Sequence, residues 1–251
     1  FYSTTYRRIM NKQRGFDYYV SNPNYRAQTR SQVTWVKNVV PSEGAWLDCG
    51  AGFGLQLWTV QQMMPGWSLH AIEPDEEAIN ELQKFTKVEK DFPGFWRKQL
   101  FGPDAFNVIS LSHVLEHLLD PIISLKTLFY YLKPGGYLLI EVPNDPLDEL
   151  QSQIRISDMP HLWFFSATGL TRLIEETGFQ VERVATLGVR RPGSKDPLFL
   201  RIRRTAMRQF RGALALLDDP TWYAEDNNRC DLRILARKPS IRETDKTTVL
   251  L

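Results

Sequence analysis

Three short stretches of the 251-residue chain carry side chains suited to chemistry rather than to packing alone. The first is Trp46-Leu47-Asp48-Cys49-Gly50-Ala51-Gly52-Phe53-Gly54, an apolar run that reaches a carboxylate and then a glycine-rich turn. Glycines tolerate positive φ and carry no Cβ, so main-chain N–H groups in such a turn approach a bound nucleotide closely. The second is Leu69-His70-Ala71-Ile72-Glu73-Pro74. Here a second apolar run ends in a carboxylate about 20 residues further on, where an acid accepts both hydroxyls of a ribose. The third is Ser112-His113-Val114-Leu115-Glu116-His117, joined by His161, which gathers three of the four histidines of the chain. Imidazole titrates near neutrality, which suits a base for a hydroxyl or an amine.

The glycine spacing selects among adenosine ligands. A dinucleotide fingerprint reads G-x-G-x-x-G and opens a helix whose N-terminus holds a pyrophosphate. In this chain Gly50, Gly52 and Gly54 are separated by single residues, and Asp48 stands just ahead of them. A carboxylate there repels a pyrophosphate but suits a ligand carrying an ammonium and a sulfonium, as S-adenosylmethionine does. The expected cofactor contacts are Asp48, Gly50, Ala51, Gly52, Gly54, Glu73, Pro74, Ser112 and His113.

The elements that position these residues follow from periodicity. From Ala45 onward, short apolar runs alternate with longer amphipathic ones, the pattern of βα units around a parallel sheet. Strands are predicted near 45–49, 68–73, 107–112, 137–142, 180–187 and 231–237, and helices near 55–64, 76–86, 121–132 and 168–177. Pro134, Gly135 and Gly136 end one helix, and Gly178 ends another. A further strand belongs between Lys87 and Ala105, but no clean pattern locates it.

Residues 1–41 read as an N-terminal helical cap over the active site, its clearer helix running from about Asn24 to Val39. Residues 42–239 form the core domain, with a lid at 144–160 and a basic helical insertion at about 190–219. In that insertion Arg201, Arg204 and Arg208 alternate with apolar residues at helical spacing. A helix at 198–217 of this kind lies on an anionic membrane face as a peripheral contact, holds an anionic acceptor, or simply faces solvent. Residues 240–251 read as a flexible tail.

Four segments in order, LDCGAGFG, IEPD, SLSHVLEHLLDP and LKPGGYLLIEVPN, resemble the class I S-adenosylmethionine-dependent methyltransferase superfamily. A fifth, HLWFFSATGLTRLIEETGF, is similar to the region after the fifth strand in its small-molecule and glycan branch. The resemblance spans about 42–187, with a last strand in CDLRILARK. It implies an α/β fold, a Rossmann-like three-layer α/β/α sandwich whose seven-stranded, mostly parallel sheet ends in an antiparallel strand. It also implies S-adenosylmethionine as cofactor and methyl transfer to a small-molecule or glycan acceptor, at oxygen.

Such a transfer needs mostly positioning and sometimes a base, for which His161, His113 and His117 are the catalytic candidates. Packing beneath the cofactor is the plainer role for Glu116 and His117. His113-x-x-Glu116-His117 with His161 also has the ligand types of a divalent metal site. It resembles metal-assisted methyltransferases acting on catechols, quinone precursors or RNA ends. Those carry Glu where this chain has His113, a departure that argues for no metal. Two further readings are a non-catalytic S-adenosylmethionine-binding module and an NAD-dependent oxidoreductase; glycine spacing and Asp48 disfavour the latter.

The 31 basic and 29 acidic side chains leave a formal charge of +2, which disfavours nucleic acid as a partner. Two cysteines make no disulfide framework, and no apolar run approaches the roughly 18 residues of a membrane span. A cytoplasmic setting is therefore expected.

Overall fold

The computed structural model describes residues 15–91, 100–144, 161–189, 223–225 and 231–240. The expected lid beyond Asn144, the basic insertion at 190–219 and the tail beyond Ser240 lie outside the described residues.

Two helices come first, α1 (Phe16–Ser21) and α2 (Pro23–Lys37). Asn22 caps α2 by accepting from the Asn24 N–H, and Pro23 occupies the first position, where its missing N–H leaves no bond unmade. The core then runs β1 (Gly44–Cys49), α3 (Leu55–Met63), β2 (Trp67–Ile72), α4 (Glu76–Leu82), β3 (Lys87–Glu89) and β4 (Phe106–Ser112). A 3-10 turn at Leu115–His117 leads to α5 (Pro121–Tyr131), β5 (Leu132–Pro143), α6 (Ala167–Glu176), β6 (Gln180–Val189), β7 (Tyr223–Glu225) and β8 (Asp231–Arg237).

These strands form one sheet in the order β3-β2-β1-β4-β5-β8-β6-β7. The pairs from β3 to β5 are parallel, whereas β8 runs antiparallel to both β5 and β6. The seven expected strands are thus present with the final long strand reversed, and the three-residue β7 adds an eighth at the edge.

Both faces of the sheet are covered, so the central strands are apolar almost throughout rather than alternating. Leu47, Cys49, Ile109, Leu111, Leu138 and Ile140 pack under α5 and α6, while Trp46, Val108, Leu139 and Leu235 pack with Val33 and Val36 of α2 and Leu57 and Val60 of α3. Among the described residues no helix is long and apolar enough to cross a membrane.

Two boundaries depart from the sequence expectation for physical reasons. The third strand is the short, partly exposed Lys87–Glu89, paired with His70–Ile72 and too brief to show a period. Strand β5 begins at Leu132 rather than near Tyr137, because Pro134-Gly135-Gly136 does not break it. Gly135 N–H donates to Lys238 O and Lys238 N–H to Gly136 O, which keeps that backbone paired.

The strand order fixes the place of the site. The chain moves outward from β1 through β2 to β3, then returns to lay β4 on the other side of β1. A crevice opens at the carboxyl ends of strands where such an order reverses.

Candidate active site

A cavity of about 500 Å³ occupies that crevice. Its floor is the turn Gly50–Phe53 with Asp48 beneath it, one wall is Glu73–Asp75, and the opposite wall is Ser112–Val114 with His117 and Leu118. The roof comes from α2 and the residues before it, through Tyr19, Tyr25, Gln28, Thr29 and Gln32.

The three turn glycines all have positive φ, but for different reasons. A Cβ on Gly50 would sit 2.5 Å from Val114 Cγ2, and one on Gly54 would sit 2.4 Å from Leu82 Cδ2. A Cβ on Gly52 would meet nothing within 4 Å, because it faces the cavity. Gly50 and Gly54 therefore serve close packing, while Gly52 leaves room for a ligand. Gly54 caps α3 and does not line the cavity.

The carboxylate of Glu73 is buried and fixed from two sides: Gly52 N–H donates to Oε2 at 2.7 Å and Asp75 N–H to Oε1 at 3.0 Å. A carboxylate accepts from several donors at once, so a ligand diol can share it with these backbone groups. Asp48 lies one strand over, its pKa pushed up to about 7 by burial and by the nearby Glu73 charge, against a hydrogen bond from Ser110 that lowers it.

Ser110 Oγ is within bonding distance of Asp48 Oδ1 (2.8 Å) and of Gln56 Oε1 (2.6 Å), yet a hydroxyl has one proton. When Asp48 is protonated it donates to Ser110, which donates to Gln56, and all three groups are satisfied. When Asp48 is ionised, the two acceptors compete for the Ser110 proton.

The chain of bonds continues outward. Gln56 Nε2 donates to Gln32 Oε1, and Gln32 Nε2 donates to Glu141 Oε1 and Ser112 Oγ. Glu141 also accepts from Gln28 and from the Nε of Arg233, and Arg233 donates to Ser31 Oγ. Burial alone would raise the Glu141 carboxyl; Arg233, His113 and the Gln28 bond hold it below the usual range.

His113 follows β4 in the left-handed region at φ 55, its backbone N–H donating to Glu141 O. Its ring faces Glu116, Asp231 and Glu141 at 3.7, 3.5 and 3.9 Å. Burial lowers its pKa, but these carboxylates outweigh that and carry it up to about 9. His117 and His161 approach from the other side, with ring centroids 4.7 Å apart and both facing Glu116.

Of the residues expected from the sequence, Asp48, Gly50, Ala51, Gly52, Glu73, Pro74, Ser112, His113 and His117 line this one cavity. His161 does not; it faces Glu116. The following Leu162, Trp163 and Phe164 are exposed and do not line the cavity either. The sequence predicts a helical cap over the site but does not say which of its side chains line the cavity. Tyr25, Gln28, Thr29 and Gln32 recur at three- and four-residue spacing, a polar stripe on α2 that was the available signal.

A family model described as a methyltransferase domain matches residues 24–184, more than half of the chain. The protein belongs to this methyltransferase family, within the class I S-adenosylmethionine-dependent superfamily. Among curated relatives, the tRNA U34 carboxymethyltransferases of Hahella chejuensis and Desulfotalea psychrophila are each 27% identical, over 64% and 61% of this chain. The chain spans about half the length of these relatives, 53% and 52% respectively. An S-adenosylmethionine-dependent methyltransferase of Thermotoga maritima shares the fold with a TM-score of 0.57 at 18% identity, covering 88% of this chain and 92% of that one. The family match is thus to a methyltransferase domain rather than to a nicotinamide-dependent oxidoreductase.

Proposed function

We propose that the cavity binds S-adenosylmethionine and that the protein transfers its methyl group to an oxygen of a small-molecule or glycan acceptor. The observation that carries the cofactor assignment is the presence, side by side in one cavity, of a fixed carboxylate at Glu73 and the open face of Gly52. Glu73 takes the ribose hydroxyls, the Gly50–Gly52 turn and Pro74 flank the nucleoside, and Asp48 faces the positively charged methionine end. Ser112, His113 and His117 line the end left for the acceptor, where they orient it. His161 reaches this end only through Glu116. The methyl carbon is already activated by positive sulfur, so positioning supplies most of the rate.

The roof that α2 sets over the cavity supports the small-acceptor reading, since a covered site suits a small ligand. RNA is the second reading, and the curated relatives named for tRNA favour it. Near-neutral net charge does not weigh against it decisively, because phosphates are contacted locally rather than by the chain average. The test is incubation with methyl-labelled S-adenosylmethionine and, separately, a panel of hydroxylated small molecules and glycans or bulk tRNA. Label is expected in the first pool; label in tRNA alone would overturn the acceptor assignment.

The Asp48 shift gives a pH signature. An ionised Asp48 attracts the ligand's cationic end and a protonated one does not. Affinity for S-adenosylmethionine is therefore expected to fall as pH drops below about 7, and calorimetric titration from pH 8 to 5 checks it. Asp48→Asn should bind weakly at every pH and show no such slope. For stability the sign is opposite. The folded pKa is raised above the ordinary 3.8, so this proton's stabilisation is present at low pH and lost as pH rises toward about 7. Asp48→Asn should therefore melt no lower than the parent at pH 8.

A further inference from the structure

Beside the cofactor cavity, and not lining it, lies a buried carboxylate that the methyl-transfer reading does not use. Both oxygens of Glu116 are sealed from solvent and have no hydrogen-bond partner among the described residues. An isolated buried carboxylate is costly, by several kcal/mol even after relaxation, so something compensates it. Around it stand three imidazoles. His117 Nε2 is 3.7 Å and His161 Nε2 is 4.0 Å from Glu116 Oε1, and His113 Nδ1 approaches the same oxygen at 3.7 Å.

These separations are too long for direct hydrogen bonds, which close at about 2.7–3.2 Å. They are close to the roughly 3.4 Å that separates two ligands of a tetrahedral cation with bonds of about 2.1 Å. The ligand atoms of Glu116, His117 and His161 all fall within 4.8 Å of one another. The local backbone holds them there. Leu162 and Trp163 N–H both donate to Glu116 O, and Trp163 Nε1 donates to Leu118 O, so the strap carrying His161 is tied to the turn carrying Glu116 and His117.

We infer that Glu116, His117 and His161 bind a first-row divalent transition cation of the zinc class. Two imidazole nitrogens and one carboxylate oxygen suit Zn²⁺, Co²⁺ or Fe²⁺ rather than Mg²⁺ or Ca²⁺, which take mainly oxygen. The triad leaves His113 out, so the absence of a carboxylate at that position does not remove the site. His117 also lines the cofactor cavity, so the proposed site adjoins the end assigned to the acceptor.

The role assigned to it rests on the proposed transfer to oxygen; the site itself does not. A cation there binds the acceptor hydroxyl and lowers its pKa, so its proton passes to solvent water. The resulting oxygen attacks the methyl carbon, the O–C bond forms as the S–C bond breaks, and the electron pair stays on sulfur to give the neutral thioether.

The test uses the full chain, stripped with a chelator and titrated with Co²⁺, whose d–d absorption reports nitrogen and oxygen ligation. One equivalent should bind with visible bands that bleach on adding Zn²⁺. Glu116→Gln and His161→Ala should each weaken Co²⁺ binding by more than about 100-fold, beyond the roughly 10–100-fold typical of outer-shell changes. Neither residue lines the cofactor cavity, so S-adenosylhomocysteine affinity, measured by calorimetry, should stay at the parent value in both. Should a variant fold poorly, the parent gives the second reading: its melting temperature should rise with Zn²⁺ and not with Mg²⁺. Binding of less than a tenth of an equivalent, equal binding in the Glu116→Gln, His161→Ala double variant, or no zinc-specific rise would overturn the site. Any of these results would leave the cofactor assignment intact.

Discussion

Gly52→Ala is expected to lose most of its affinity for S-adenosylhomocysteine while remaining folded, and Gly50→Ala is expected to do the reverse in severity, losing the fold first. The added methyl at position 52 meets no protein atom within 4 Å and points into the cavity, so its structural cost is the strain of φ +54, about 1–2 kcal/mol. At position 50 the same methyl would stand 2.5 Å from a branched and buried Val114, which has little freedom to turn away. Overpacking adds about 1–3 kcal/mol to the strain there. Glu73→Gln belongs with Gly52→Ala: it keeps one carbonyl oxygen but loses a charged acceptor worth about 1.5–3 kcal/mol, roughly 10–100-fold in dissociation constant. Calorimetric titration together with melting curves separates the two kinds of loss. Parent-like affinity in both Gly52→Ala and Glu73→Gln would mean that this cavity is not the cofactor site.

The largest effect on stability is expected at Arg233→Met. Arg233 is fully buried, its guanidinium pairs with the buried carboxylate of Glu141, and it also reaches Ser31 on α2. Removing one partner leaves the other charge stranded, at a cost of about 3–5 kcal/mol. For a chain of this size that corresponds to a fall of roughly 10 °C in melting temperature. The double change Arg233→Met with Glu141→Gln removes the stranded charge and should recover part of the loss; no recovery would show that Glu141 is not the group left exposed to the penalty. The pair also sets acid behaviour. The folded pKa of Glu141 lies below its ordinary 4.5, so its contribution is full above that value and disappears as pH falls through the folded pKa.

Most of the proposed cofactor end could be named from the sequence because those residues lie close together in the chain. Asp48, Gly50 and Gly52 alternate along one strand end and turn, and Glu73 follows the next strand, so a few spacings locate them. The histidines were legible as residues but not as a geometry. Nothing in the spacing says that His161 faces Glu116 rather than the cavity, because the strap that turns it is fixed by bonds to a carbonyl in another segment.

The lining side chains of the roof were missed for a different reason. Gln28 and Gln32 make a polar stripe that reads as the solvated face of a helix, and what makes it internal is Glu141 and Arg233, more than one hundred residues away in the chain. The third strand escaped because three residues cannot display an alternation.

The bond from Arg233 to Ser31 joins positions 202 residues apart. During synthesis, the helix that carries the roof leaves the ribosome about 200 residues before the strand that clamps it. The clamp on that helix is accordingly set only once β8 has been made, and nascent fragments ending before β8 carry the roof without the bonds that Arg233 gives to Ser31 and Glu141.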